Sequence, residues 1–293
     1  MTISVRPDTM DPAAPPRRPR RSTVSRVIAY VLLSLGALAC LLPFLWMLST
    51  SLKSSTEIFS FEPSLLPEAL RWENYVRLFE ALPMARMLLN SVFVTLTVTL
   101  GQVTFCCTAG YAFARLKFPG RDKLFVLYLG TMMVPFMVTL VPAYAIIREL
   151  GWINTYWALI VPQFFGSAYG TFLMRQFFMT LPQELEDAAT IDGCGPLRIF
   201  WKIFLPLTKP AVATLAVFNI LGVWNDFLWP LLVIQDNDLK TLPIGLATFQ
   251  GLYATDHSLL MAGAVVSLIP MLIAFLFAQK YFVEGIALSG MKA

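Results

Sequence analysis

The chain has 293 residues, of which 57% are hydrophobic and 14% are charged, against roughly 45–50% and about 25% in ordinary soluble domains. A large soluble helical protein would need charged residues along every amphipathic helix to cover its outer surface. Here they come in clumps, which excludes that class, places the chain in a membrane and leaves no expectation of a nucleic-acid partner.

Residues 1–26 include Pro15, Pro16 and the run Arg17, Arg18, Arg20 and Arg21. They are too polar to pack and are expected to form a disordered basic tail that touches anionic lipid headgroups. A basic region before an apolar one also begins a cleaved signal peptide, but the apolar stretch 27–52 exceeds that signal's core of about 7–15 residues.

Stretches 27–52, 87–114, 124–147, 150–174 and 258–279 carry no formal charge, and 210–235 carries only Asp226. Each exceeds the roughly 20 residues a helix needs to cross a hydrocarbon core of about 30 Å. The expected fold is therefore all-α and polytopic, with six transmembrane helices over 27–283 and a short tail at 284–293. Six spans put both termini on one side. The segments before 27, at 115–123, at 175–209 and after 279 hold 16 of the 22 basic residues. By the positive-inside rule these segments are cytoplasmic. Prolines 43, 135, 142, 162, 230 and 270 lie within spans and are candidate kinks.

Cys40, Cys106 and Cys107 lie within spans and Cys194 in a cytoplasmic loop, so none is placed for an extracellular disulfide framework. No histidine neighbours the Cys106–Cys107 pair, and His257, the only histidine, precedes the last span. No metal site and no catalytic residue is expected. A Gly-x-x-x-x-Gly-Lys-Ser/Thr phosphate loop is also absent, so any ATP and its magnesium must be bound by another chain.

The longest cytoplasmic loop, 180–209, is the most informative segment. Thr180 with Gln183 fits a capping box, Glu184 and Glu186 suit the positive end of a helix dipole, and Gly193 supplies a left-handed stop. Gly195 and Pro196 then open a second helix, expected to end before Pro206. Ala188 and Ala189 leave a nearly bare face for a partner, and Asp187 and Asp192 offer it polar contacts.

The pattern Asp187-Ala188-Ala189-x-x-x-Gly193, followed after nine residues by Ile203-x-Leu205-Pro206, resembles the Glu-Ala-Ala signature of ABC importer permeases. That family's type I fold carries a cytoplasmic coupling helix that docks on an ATPase subunit. Asp187 stands where the family usually has glutamate, so the carboxylate is one methylene shorter. The segments 109–115, 118–121, 150–155 and 224–230 are similar to the carbohydrate branch, which includes maltose, glycerol-phosphate and trehalose-type systems. The resemblance implies a permease subunit in a prokaryotic inner membrane. It also implies a homologous second permease, two ATPase subunits, an extracytoplasmic sugar-binding protein, and a sugar or related polyol as cargo.

Two further sites are expected. In the fifth span, Trp224, Asn225, Asp226, Phe227 and Trp229 combine hydrogen-bonding groups with aromatic faces and are candidates to line the substrate path. In the last external loop, Thr241, Pro243, Gly245, Phe249, Gln250, Gly251 and Tyr253 are candidates to contact the binding protein. Trp72, Tyr75 and Phe79 are spaced to add one helical face to that surface. The rival classes fit less well. A proton-coupled carrier needs a carboxylate near midplane, whereas Asp226 lies about 25 Å up its helix from Lys209. An intramembrane enzyme would need a Ser/His or paired-aspartate arrangement that the spans do not offer.

Overall fold

The computed structural model describes residues 23–60, 64–250 and 255–290. The chain divides into two units, residues 1–46 and 47–293, taken separately below. The described part of the first unit is the greater part of a long apolar helix, α1 (Thr23–Ser51), with Pro43 inside it.

In the second unit, α2 (Ser55–Ile58) is a single turn capped by the Ser54 side chain, and α3 (Glu73–Ala81) buries Asn74 and Leu78. The organising element is α4 (Met84–Arg115), 32 residues long. It contributes to all three buried clusters: Met84 and Met87 to one, Val94 and Val98 to another, Cys106, Cys107 and Tyr111 to the third. Glycine lets it approach its neighbours closely. A Cβ on Gly110 would lie 2.7 Å from Met174 Cβ, a backbone-to-backbone contact that small residues permit in membrane helix packing.

Next come α5 (Arg121–Gly130) and α6 (Phe136–Glu149), bent 95° from one another. Pro135 lies at the junction and holds Val134 in extended backbone, as a proline does to the residue before it. The stretch 150–174, expected as one span, is interrupted. It forms α7 (Tyr156–Phe164) and the start of α8 (Ala168–Thr180), with Gly166 between them at φ +93°. Cys106 spans that break: its thiol accepts from Ser167 N at 3.3 Å and donates to Ser167 O at 3.6 Å. Non-helical backbone at membrane depth persists only where the protein satisfies it in this way.

The loop at 180–209 holds α9 (Glu184–Ile191) and α10 (Pro196–Ile199). A π-helical turn over Phe200–Phe204 leads into α11 (Leu205–Leu207). This second helix therefore passes through Pro206 rather than ending before it. Proline removes one helical donor, and the wider register is already present there, with Leu205 N bonded to Phe200 O. After a 79° bend comes α12 (Lys209–Trp224), followed by α13 (Leu228–Val233), α14 (Leu242–Leu246) and α15 (His257–Gly290). The last helix continues into the segment expected to be a tail. Among the described residues there is no strand, only an isolated bridge between Gln250 and Thr255. Among the described residues three helices are long and apolar enough to cross a membrane, or up to five if each bent pair counts as one span.

Candidate functional site

The segment expected to couple to an ATPase subunit is built on α4. Arg115 ends that helix with a side chain only 6% exposed. Its guanidinium donates to Phe178 O from Nε at 3.2 Å and Nη2 at 2.6 Å, to Leu181 O, and to Gln183 Oε1 at 2.8 Å. It lies 3.8 Å from Glu186 Oε2 and over the Phe204 ring. One side chain thus gathers the end of α8, the start of α9 and the return arm. Tyr111, one turn earlier on α4, donates to Pro196 O at 3.3 Å and packs on Phe178, Phe200 and Phe204. The sequence drew attention to Arg115 only within a resembling segment. Its signal was a cation closing the charge-free run 87–114.

The local chemistry of α9 departs from expectation at one end and meets it at the other. No capping box forms: Thr180 lies in α8 and bonds back to Phe177 O, while Gln183 spends its side chain on Arg115 and Glu186. At the other end Gly193 is left-handed, φ +77°. Cys194 N reaches Ala189 O at 2.9 Å and Gly193 N reaches Thr190 O at 3.0 Å, the paired bonds of a Schellman stop. The two alanines do not share a bare face. Ala189 is buried against Tyr111, Phe178, Ile199 and Phe200, whereas Ala188 is exposed together with Asp187, Asp192 and Gly193. Ile191 and Leu197, at 87% and 76% exposure, flank the same outward surface. Ile203 and Leu205 face inward onto the cluster, and Pro206 is exposed.

At the α12–α13 junction the expected path residues separate. Trp224 and Trp229 belong to the core: Trp224 sits among Leu78, Met84 and Leu242, and Trp229 donates its indole N–H to Ala158 O at 2.8 Å. Burial of these rings outweighs display of them, because a tryptophan with its donor satisfied is a large apolar surface. Between them the helix breaks at Asn225–Phe227. Asn225 and Phe227 are exposed, and half-buried Asp226 accepts from Gln163 Nε2 at 3.1 Å. Gln163 was missed by sequence reasoning. It is a lone amide beside Pro162 in an apolar run, and that oddity was the available signal.

The last loop, expected to be external, also divides. Thr241 and Gly245 are buried, and α14 plugs against α4 and α15, with Leu242 N bonded to Ser91 Oγ at 2.7 Å. Asn90 holds the preceding turn through Asp238 O and Lys240 O. Thr241 and Gly245 are therefore packed residues rather than contact residues. Pro243 and Phe249 are half-buried and Gln250 is exposed; Gly251 and Tyr253 lie outside the described residues. On α3 the exposed face is Trp72, Val76 and Phe79, while Tyr75 turns in to meet Ser51 at 2.8 Å.

Residues 107–287, which contain the coupling segment and the α12–α13 break, match the family described as the binding-protein-dependent transport system inner membrane component. The chain belongs to that family. It is a membrane component of a transport system rather than an enzyme. Over 259 residues it is 38% identical to the arabinooligosaccharides transport system permease protein AraQ of Halalkalibacterium halodurans, covering 87% of this chain and 92% of that protein. It is 37% identical over 277 residues to the probable ABC transporter permease protein YurM of Bacillus subtilis, covering 94% and 92%. With the sn-glycerol-3-phosphate transport system permease protein UgpE of Pectobacterium atrosepticum it shares 34% over 268 residues, covering 89% and 95%. In fold it is similar to a chain of a bacterial ABC transporter involved in the import of the acidic polysaccharide alginate. The TM-score there is 0.78 at 24% identity, with 90% of this chain and 100% of that chain covered.

Proposed function

We propose that this chain is one of two homologous permeases in an ABC importer for a sugar, an oligosaccharide or a related polyol. It crosses the membrane six times with both termini cytoplasmic, several crossings being broken helices. Its partners are the second permease, two ATPase subunits that bind ATP and magnesium, and an extracytoplasmic binding protein that presents the cargo. The names of AraQ and UgpE support a sugar or polyol-phosphate cargo.

The observation that carries the reading is the outward face of α9. Ala188, Asp187 and Asp192 are exposed beside Ile191 and Leu197, on a segment fixed to α4 through Arg115. Apolar side chains clustered on the surface of a short charged helix mark a contact for a protein partner. A small residue at Ala188 lets that partner reach the backbone. Movement of the docked ATPase subunits is thereby passed to α8 and α4, and the permease pair exposes its path alternately to each side. Because a ligand shifts a conformational equilibrium only through differential affinity, the loaded binding protein favours one state of the assembly.

The broken end of the fifth span supplies the path wall on this chain. Asn225, Asp226 and Phe227 stand there with Gln163, two of them exposed at a helix break near the outer surface. A carboxylate in a span is retained where it faces water or a partner. The binding protein is met by the tip of the last external loop around Phe249–Gln250 and by the Trp72–Val76–Phe79 face.

The test is purification of the tagged permease from its own membranes, followed by ATPase assays with the cognate binding protein and a panel of sugars. Co-purified ATPase subunits stimulated by one loaded binding protein are expected. A permease that purifies alone, with uptake insensitive to ATP depletion, would refute the importer reading, and stimulation only by a non-sugar solute would refute the cargo.

A further inference from the structure

We propose that the groove between α4, the Trp201–Leu205 arm and the start of α12 holds an acyl chain of one anionic phospholipid, with its phosphate on Lys209. The groove has a volume of about 500 Å³, and Val103, Leu205, Val212 and Ala216 are among its walls. Two hydroxyls in the wall do not make it polar: Thr104 donates to Leu100 O at 2.7 Å and Thr108 to Thr104 O at 2.9 Å. The surface presented is therefore hydrocarbon. Among the residues lining it, Lys209 alone carries a formal charge.

The placement fits one leaflet. This step rests on the cytoplasmic assignment of the 175–209 segment made above. Ala216 lies seven residues beyond Lys209, roughly 10 Å along α12, and Val103 lies roughly 18 Å from the Arg115 end of α4. Half of a hydrocarbon core is about 15 Å. A cation thus sits at headgroup level at the mouth of an apolar slot as deep as a leaflet. Trp201, which is 56% exposed, stands at the same level, where indole rings favour the interface.

Charge selects the occupant. Arg198, Lys202 and Lys209 are exposed, and among the described residues none of them is in an ion pair. Lys209 lines the slot, Lys202 lies on the arm that forms one wall, and Arg198 lies in α10 just before that arm. A helix of a partner protein would fill the hydrocarbon part and leave Lys209 without a counter-charge, whereas an anionic headgroup supplies it. A chain lodged there would brace the return arm of the coupling loop against α4 and α12.

The experiment is quantification by mass spectrometry of phosphatidylglycerol retained on the detergent-washed importer, after reconstitution in phosphatidylcholine with and without phosphatidylglycerol. The wild type should keep about one phosphatidylglycerol per permease chain. Lys209→Gln should reduce retention about fivefold, the worth of one basic residue near an anionic surface. Ala216→Phe, which fills the slot without altering charge, should also release the lipid. Retention equal to wild type in both variants would overturn the proposal. So would an Ala213→Cys variant whose thiol is blocked by assembly with the second permease, since a protein would then occupy the slot. Retention is read on the permease whether or not ATPase subunits co-purify, so loss of those subunits bears on the importer reading alone.

Discussion

Replacing Arg115 with alanine should disconnect the coupling helix from α4 while leaving most of the membrane core in place. The arginine donates to two carbonyls that end α8 and to the Gln183 side chain, and it faces Glu186 at 3.8 Å with side-chain exposures of 6% and 17%. Removing one partner of a buried ion pair costs about 3–5 kcal/mol, because the other charge is left uncompensated. The lower end applies here, since Glu186 keeps a bond from Gln183 at 3.2 Å and some access to solvent. Three kcal/mol changes an equilibrium about 100-fold. Arg115→Lys retains the charge, but a compact ammonium cannot reach the carbonyls and the amide together, so it should fall between alanine and wild type. In nanodiscs, the ratio of stimulated to basal ATPase activity should fall toward one in Arg115→Ala and partway in Arg115→Lys. Adding Glu186→Ala to Arg115→Ala should recover about 1–2 kcal/mol in thermal unfolding, as coupled neighbours do in a double-mutant cycle. Wild-type stimulation and uptake in Arg115→Ala, with unchanged thermal stability, would refute the reasoning.

Ala188→Trp and Ala189→Trp should differ in kind. The first adds bulk at an exposed position, so the permease should insert and fold but lose its ATPase subunits on affinity purification; the second overpacks a buried position at a cost of about 1–3 kcal/mol and should lower the melting temperature of the permease itself. Gly193→Ala forces a side chain into left-handed backbone at about 1–2 kcal/mol with open space around it, and a thermal shift of that size without loss of membrane insertion is expected. Asp226→Ala and Gln163→Ala should impair uptake equally while co-purification of the partners is normal; Asn225→Ala should do less, because the Asn225 amide is spent on Leu221 O of its own helix. Shortening the loop at 247–250 should abolish stimulation by loaded binding protein and spare basal ATPase activity, whereas deleting into 241–246 should destabilise the permease, a difference that expression and ATPase assays separate.

The coupling segment was legible because its chemistry is local. Gly193 announces a left-handed stop and Pro196 a helix start through backbone preferences that depend on few neighbours, and both are found where the sequence puts them. Thr180 and Gln183 misled for the opposite reason. Their spacing fits a capping box, yet a cation 68 residues earlier in the chain competes for Gln183, and the continuation of α8 takes up Thr180. Ala188 and Ala189 are adjacent in sequence and about 100° apart on a helix; which of them faces inward is set by Tyr111 and Phe178, which no local pattern reveals. The same limit explains Trp224 and Trp229. An aromatic ring suits a sugar path or a core equally well, and only the partners that surround it decide.

Stretches 124–147, 150–174 and 210–235 are apolar for nearly their whole length, and such a stretch reads as a continuous helix because apolarity says nothing about backbone. Each is interrupted in the structure, at Pro135, at Gly166 and at Asn225–Phe227. A break inside a membrane exposes N–H and C=O groups that lipid cannot satisfy, so something in the protein must do so. Cys106 answers the backbone at Ser167, which gives an inert-looking thiol in a helix a definite role. At the third break the side chain of Asn225 bonds back to its own helix, and Asp226 is held by Gln163 from α7, the helix that ends one residue later at Phe164. Two interrupted spans, also linked by the Trp229 bond to Ala158 O, are thus joined beside their breaks by a hydrogen bond between a carboxylate and an amide. Helix breaks are the places where such a bundle can change shape at least cost, and this bond ties two of them together.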